Sequence, residues 1–206
     1  MKKFALSTYL AASLALLVPV PGRLAYGIVL ILAMNVSMIT VTFFQRLVKL
    51  LSLENLMSVL TAMLLVSEGV LYKQLLIMYS PIMALTLGFA IYLPAVSSFF
   101  ISRFYKQSRE PVGKELCSNM KYMGQFSLFA CIIFLLRDII GYGTISLPSR
   151  NGIFQLELLR EQSGKMHAGA FLATIPGAIV LCALVIAFIL YVQQNLKIAK
   201  EYSDAD

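Results

Sequence analysis

The chain has 206 residues, of which 59% are hydrophobic and only 13% are charged, and its formal net charge is +7. Soluble domains are about half apolar and a quarter charged, so this composition argues against a soluble fold and indicates a membrane protein. The basic residues stand in short gaps between apolar runs, as they do in loops beside anionic lipid headgroups. We therefore expect membrane lipid as a partner and no nucleic acid.

The first apolar run covers residues 4–20 and follows Lys2 and Lys3. This arrangement resembles a secretory signal peptide, but no small-residue cleavage site follows it. Instead Pro19 and Pro21 lead directly into the next apolar run. We expect a short, uncleaved membrane helix, with a cleaved leader as the alternative.

A membrane span needs about 20 apolar residues, and the apolar runs predict six spans. They cover about residues 4–20, 24–44, 56–72, 75–102, 122–140 and 171–193. An even number of spans places both termini on one side, and most basic residues fall on that side. These are Lys2, Lys3, Arg46, Lys49, Arg103, Lys106, Arg109, Lys114, Lys121, Lys197 and Lys200. The positive-inside rule therefore predicts that both termini are cytoplasmic.

Two of the predicted spans contain helix-breaking residues. The fourth has Pro81, Gly88 and Pro94, and the first ends at Pro19 and Pro21. Broken helices at matching places in two halves are typical of an inverted repeat, although ordinary proline kinks would give the same spacing. The expected fold class is an all-α integral membrane domain, residues 1–206, of six transmembrane helices. The two inverted three-helix repeats would cover about residues 1–74 and 75–206, with helices one and four broken.

Several polar side chains fall at membrane depth and are the candidate intramembrane polar site. Glu68 lies in an apolar stretch, where a carboxyl group is costly unless it is paired, protonated or wetted. It is either a proton or cation site, a partner for a buried arginine, or a side chain that reaches the interface near Lys73. Arg137 and Asp138 close the fifth span and either line a pathway or extend to the membrane surface.

Further polar residues in the apolar runs are expected to serve helix packing. Ser97 and Ser98 lie in the fourth span, and helix two carries Asn35, Ser37, Thr40 and Thr42. The loop of residues 143–170 is the one sizeable stretch outside the predicted spans, and residues 153–159 are predicted to form an amphipathic surface helix.

The sequence offers no catalytic or zinc-site pattern. His167 is the one histidine, and Cys117, Cys131 and Cys182 form no C-x-x-C pair. We therefore predict no catalytic residues and no metal ligands, and any enzyme role would be that of a non-catalytic subunit.

Three stretches resemble the membrane subunits of the Rnf and Na⁺-pumping NADH:quinone oxidoreductase complexes, of the NqrD/RnfE type. The most specific is L-R-D-I-I-G-Y-G-T at residues 136–144, which is similar to the family's I-R-E-I-L-G-x-G-T. Residues 88–96, G-F-A-I-Y-L-P-A-V, are followed by Arg103 and resemble the family's fourth helix. Asn35 precedes a basic stretch as an asparagine does in the family, and Glu68 falls where the family has an acidic residue.

The resemblance implies a six-helix subunit of a bacterial inner-membrane, ion-translocating electron transport complex. Such a subunit pairs with a homologous six-helix subunit of opposite topology. In the family, cysteines from helices one and four hold a [2Fe–2S] cluster between the two subunits. This chain departs from that pattern, because Ser98 or Phe100 stands at the helix-four position and Ala11, Ala12 and Ser13 occupy helix one. A thiolate is the ligand that iron needs, so the resemblance implies a divergent, cluster-free relative, and cofactor binding is left open.

Two other functions fit the composition. One is a small-molecule-binding transporter component, similar to the S-components of energy-coupling-factor importers. The other is a non-catalytic membrane scaffold or channel.

Overall fold

The computed structural model describes residues 18–104, 112–149, 152–158, 170–184, 187, 191, 194 and 195. Its α-helices are α1 (Leu24–Leu50), α2 (Met57–Tyr79), α3 (Pro81–Leu87), α4 (Leu93–Phe104), α5 (Val112–Tyr142), α6 (Ala170–Ala173) and α7 (Ile175–Leu184). Turns of 3₁₀-helix lie at Glu54–Leu56 and Gly88–Tyr92. The strands are β1 (Thr144–Ser149) and β2 (Gly152–Glu157).

Three helical segments of the described chain are long and apolar enough to cross a membrane: Leu24–Leu50, Met57–Tyr79 and Pro81–Phe99. The chain is mostly helical, which agrees with the expected all-α membrane class apart from one β-hairpin. The predicted first span, 4–20, lies almost wholly outside the described residues. The sixth, 171–193, is described to residue 184 and only at isolated positions beyond it.

Helix α1 lies at the centre of the bundle and packs against α2, α4, α5 and β1. Its Gly27 is in close contact with Phe134 of α5, because a Cβ atom added at Gly27 would overlap the ring. About two turns further along, Asn35 Nδ2 donates to Ser127 Oγ of α5 at 3.0 Å. Apolar contact and one polar pair therefore join α1 to α5, as is common between membrane helices.

Helix α2 has a largely outward-facing surface, with only 22% of its most apolar window buried, against 50% for α1. The sequence placed its end near Tyr72, but the helix continues to Tyr79. The break falls instead at Ser80, because Pro81 has no N–H to donate and takes the first position of α3.

The apolar segment after Pro81 is interrupted, as its proline and glycine residues predicted. Helix α3 ends at Gly88, which has φ 47° and ψ −115°, a backbone conformation open to glycine and strained for other residues. The 3₁₀ turn follows, and α4 resumes at Leu93 with Pro94 in its first turn. The interruption faces α2, against which the turn packs.

The predicted amphipathic helix over residues 153–159 is wrong, because Gly152–Glu157 forms a β-strand. Helix α5 ends at Tyr142, and Gly143, with φ 67°, leads into an antiparallel hairpin in which Leu147 pairs with Phe154. Apolar and polar side chains alternate strictly from Phe154 to Leu158. That two-residue period is typical of a strand, whereas the prediction of a helix placed Phe154, Leu156 and Leu158 on one helical face.

The ends of several helices lie beside the hairpin at one end of the bundle. Strand β1 packs against α1 and α5, and β2 packs against α3. The start of α1, the start of α3 and the end of α5 therefore share this level, which we call the hairpin end. The connection from Leu50 to Met57 lies at the opposite end, since α1 and α2 each run the length of the bundle.

Candidate functional site

Glu68 points from α2 into the interior of the bundle. Both of its carboxyl oxygens are buried, and neither makes a hydrogen bond of regular geometry among the described residues. The Ser37 and Thr40 hydroxyls of α1 lie close enough to interact with it, but that of Thr40 is hydrogen-bonded to the carbonyl of Val36. A carboxyl group at membrane depth is costly unless something neutralises or binds it. The structure therefore leaves this group open to a partner from outside the described chain.

A small cavity lies beside Glu68, between α1, α2 and the interrupted helix. The space open to the centre of a water molecule is about 10 Å³, which is close to the room that one water needs. Its lining consists of Ala33, Ser37, Glu68, Gly69, Tyr72, Ile91, Pro94 and Ala95. The interruption thus supplies one wall of the cavity, and Ser37 adds a hydroxyl group to the Glu68 side.

Neighbouring residues of α2 hold the cavity wall in place. Tyr72 Oη donates a hydrogen bond to the carbonyl of Val29 at 2.7 Å, which ties α2 to α1. Gly69 approaches Tyr92 of the 3₁₀ turn so closely that an added Cβ would lie 3.1 Å from the ring. The Lys73 ammonium lies 5.8 Å from the centroid of the same ring. A larger residue at Gly69 would push the interrupted helix away from α2.

Ser97 and Ser98 are both buried on α4, about one helical turn beyond Pro94 and Ala95 of the cavity lining. The Ser98 hydroxyl has no hydrogen-bond partner among the described residues, and the same is true of Thr61 on α2. Thr61 and Glu68 share one face of α2, because they are two helical turns apart. Buried hydroxyl groups therefore occur on both α2 and α4, in addition to the polar groups that line the cavity.

Asp138 is fully buried at the hairpin end and is surrounded by donors. Its Oδ2 accepts from the backbone N–H of Ser146 at 2.7 Å, from Ser146 Oγ at 2.5 Å and from the N–H of Leu24 at 3.2 Å. Its Oδ1 accepts from Thr144 Oγ1 at 3.1 Å. The N–H of Ala25 donates to Ser146 Oγ at 3.2 Å.

Asp138 therefore caps the start of α1 from a distant part of the sequence. Helix α1 has no acidic residue in its first turn and no side-chain cap from Arg23. The first N–H groups of a helix need acceptors, and a negative charge there is favourable to the helix dipole. The carboxylate of Asp138 supplies both and also fastens β1 to α1.

Arg137 is also fully buried, and its described hydrogen bonds go to backbone carbonyls. Its Nε donates to the carbonyl of Leu172 at 3.3 Å, and an Nη donates to that of Ala173 at 3.1 Å. These are the last residues of α6, where carbonyl groups lack partners within the helix. The consecutive residues Arg137 and Asp138 thus bind two different chain segments.

The predicted polar residues fall into two places rather than one. Glu68, Ser97 and Ser98 lie around the α2–α4 contact, while Arg137 and Asp138 lie at the hairpin end. Ser37 and Leu24, which mark the two places on α1, are about 20 Å apart along the helix axis at 1.5 Å per residue. A pathway role for the Arg137–Asp138 pair stays a prediction.

The sequence did not indicate Ser146, Thr144, Gly69 or Tyr72 as candidate site residues. The alternation around Ser146 could have indicated a strand with that hydroxyl on one face. Nothing local to the sequence pairs it with Asp138 or places Tyr72 against Val29, since both contacts depend on how the helices pack.

The residues present do not fit the [2Fe–2S] cluster that the resemblance implies. The resemblance would place the helix-four ligand at Ser98 or Phe100, neither of which has a thiol, and Cys131 and Cys182 are free thiols on α5 and α7. Iron in such clusters is held by thiolates. Within the described residues no three histidine, cysteine or carboxylate side chains come together as a metal site.

The chain was compared with family models, curated proteins and solved structures, and none of them matches it.

Proposed function

We propose that this chain is an integral membrane protein that serves as a subunit of an ion-translocating complex, with the Glu68 carboxyl group as the site where the ion binds. The observation that carries the proposal is the buried, unpartnered carboxyl group at a cavity beside an interrupted helix. A protein that used Glu68 only for packing would gain stability by replacing it with an apolar residue of similar size.

The size of the cavity favours a small occupant. Sites for organic ligands commonly enclose about 300–1,000 Å³, whereas this one has room for about one water. A proton, or a small monovalent cation that occupies this space, fits beside the carboxyl and Ser37 oxygens. The space does not suit the vitamin-sized substrate of an S-component, so transport of an organic molecule through this cavity is not favoured.

The interruption gives the cavity a second source of oxygen ligands. Helix breaks release backbone carbonyl groups from the helical pattern, and in transporters such groups face the substrate cavity. Here the break of Gly88–Tyr92 packs against the side of α2 that bears Glu68 and Gly69. A cation bound at Glu68 would therefore meet the break directly.

The family resemblance supplies the proposed setting. We take the chain to be a relative of the NqrD/RnfE-type subunits that keeps the membrane scaffold and lacks the cluster ligands. The proposal includes six spans in two inverted repeats, cytoplasmic termini and a homologous partner subunit. Arg46 and Lys49 near the end of α1, opposite the hairpin end, suit a cytoplasmic face.

The test compares Glu68→Gln with Glu157→Gln, a matched change at an exposed carboxyl of the hairpin. Inverted membrane vesicles from the host, containing the whole complex, are energised with NADH or reduced ferredoxin. Proton uptake and ²²Na⁺ uptake are then measured at equal amounts of the chain. We expect Glu68→Gln to lower the uptake of one ion at least tenfold, and Glu157→Gln to leave it unchanged. Wild-type uptake of both ions by the Glu68→Gln variant would overturn the proposal and favour a non-catalytic membrane scaffold instead.

A further inference from the structure

The β-hairpin has one apolar face on which three side chains are left exposed by the described protein, while Ile145 on the same face packs against the core. Leu147 and Phe154 are cross-strand partners, and Leu156 lies on the same face because it is two residues from Phe154. Their side chains are 40%, 54% and 49% exposed. We call these three residues the hairpin apolar face. No charged residue lies on it among the described strand positions.

The other face of the hairpin carries two polar pairs and one apolar pair, Pro148 with Ile153, of which Ile153 packs against the core. Ser146 and Gln155 are cross-strand partners on that face, and so are Thr144 and Glu157. Ser146 is buried against Asp138, which fixes the orientation of β1 on the bundle. The hairpin is therefore amphipathic and is held at a fixed level by the capped start of α1.

Aromatic and basic side chains mark that level as a membrane–water boundary. Tyr79 ends α2 and Tyr142 ends α5, and their side chains are 54% and 41% exposed at the hairpin end. The Arg23 guanidinium lies 4.8 Å from the centroid of the Tyr142 ring. Tyrosine is enriched at headgroup level in membrane proteins, and arginine extends toward lipid phosphates. The hairpin begins directly after Tyr142, so it starts at this boundary.

The hairpin apolar face also continues an apolar surface of the bundle. A Cβ atom added at Gly152 of β2 would lie 3.8 Å from Ile82 of α3, so the strand rests beside the start of that helix. From there the outward residues of the segment are mostly apolar, and the side chains of Ile82, Leu85 and Phe89 are exposed. Thr86 is exposed as well, and its hydroxyl donates to the carbonyl of Ile82 at 2.9 Å. A helix that crosses a membrane turns such residues toward lipid.

From this continuity we propose that the hairpin apolar face lies in the headgroup–acyl boundary of the bilayer and anchors the hairpin end to the lipid surface. An interfacial location suits a hairpin, because water at this depth satisfies the free strand edges that hydrocarbon could not. The proposal rests on the membrane location included in the proposed function, but not on ion binding at Glu68.

The absence of tryptophan from the chain makes a direct test possible. The full chain is reconstituted in phosphatidylcholine vesicles with a single tryptophan at Phe154→Trp, or at Leu156→Trp as a second position on the same face. Gln155→Trp reports the polar face. Phe89→Trp is the control for a side chain deep in the bilayer, because residue 89 lies about 12 Å along the interrupted helix from Pro81. Quenching is measured with lipids brominated near either end of the acyl chain and with aqueous iodide.

We expect Phe154→Trp and Leu156→Trp to be quenched by lipid brominated near the headgroup at least twice as strongly as Gln155→Trp. Phe89→Trp should respond most to bromine near the chain end. Quenching of the Phe154→Trp variant by iodide alone would overturn the proposal by showing a face open to water. Resistance to both quenchers would overturn it by showing a face covered by protein. If Phe89→Trp also escapes bromine, the membrane location itself fails, which separates that failure from failure of the hairpin anchor.

Discussion

Asp138 and Glu68 are both buried carboxyl groups in an apolar bundle, but the protein surrounds them differently. Asp138 accepts hydrogen bonds at both oxygens from Leu24, Thr144 and Ser146. Glu68 makes no hydrogen bond of regular geometry among the described residues, has the Ser37 and Thr40 hydroxyls nearby, and adjoins a cavity. A carboxylate whose hydrogen bonds are supplied by the fold stabilises that fold, whereas one that makes none reduces stability unless something else binds it. The comparison predicts opposite effects of removing the two groups.

The largest effect is expected from Asp138→Ala. The N–H groups of Leu24 and Ser146 lose their acceptor in a buried place, at about 1–3 kcal/mol each, and the start of α1 loses its cap. We expect the free energy of unfolding to fall by about 3 kcal/mol or more. The measurement is unfolding by sodium dodecyl sulfate in detergent micelles, followed by far-ultraviolet circular dichroism.

Glu157→Ala is the control for Asp138→Ala, because it removes an exposed carboxyl from the same hairpin. Its free energy of unfolding should stay within about 0.5 kcal/mol of wild type. Equal small effects of the two variants would show that Asp138 is not a structural cap.

Ser146→Ala should give the next largest loss. Its hydroxyl donates to Asp138 and accepts from the N–H of Ala25, while the backbone N–H of residue 146 still reaches the carboxylate. We expect a loss of about 2 kcal/mol, measured in the same titration. Ser149→Ala, on the same strand, should change little. A loss as large as that of Asp138→Ala would place the cap in the hydroxyl rather than the carboxylate.

Replacement of Glu68 by methionine should have the opposite sign. Methionine keeps the length of the side chain and removes the unpartnered oxygens, so we expect the free energy of unfolding to stay equal or rise by about 1 kcal/mol. The same titration measures it, and ion uptake should be lost in parallel. Destabilisation by more than about 1 kcal/mol would mean that the wild-type carboxyl has a structural partner, which would remove the contrast with Asp138.

Tyr72→Phe should have the smallest effect. It removes the hydrogen bond to the carbonyl of Val29 but leaves the ring packed between α1 and α2. We expect a loss of about 0.5–1.5 kcal/mol, the usual net value of one hydrogen bond. A loss of more than about 3 kcal/mol in the free energy of unfolding would contradict this expectation. It would show that the Tyr72 hydrogen bond stabilises the packing of α1 and α2 as strongly as Asp138 stabilises the start of α1.

The sequence predicted the apolar helices well, because long apolar runs dominate their signal. The helix of residues 24–44, the interruption around Gly88 and the helix of residues 122–140 all correspond to elements of the structure. The end of α2 was placed several residues early, since Tyr72, Lys73 and Gln74 resemble an interfacial turn. The stronger determinant was the missing N–H of Pro81.

The sequence also drew attention to Glu68, Arg137 and Asp138, because a charged residue within or at the end of an apolar run is conspicuous. It could not assign their partners. Whether a carboxyl group is satisfied depends on contacts between distant segments, such as Ser146 with Asp138. The hairpin was missed because a short run with Phe154, Leu156 and Leu158 can be interpreted as a helical face when its two-residue period is overlooked.

The cap on α1 has a consequence for biogenesis. Leu24 and Asp138 are separated by 114 positions. At a translation rate of about 5–20 residues per second, the acceptor emerges from the ribosome roughly 6–20 s after the helix that needs it. During that interval the first amides of α1 must be hydrated or bound by the insertion machinery. Final docking of the helix therefore awaits the arrival of the second half of the chain.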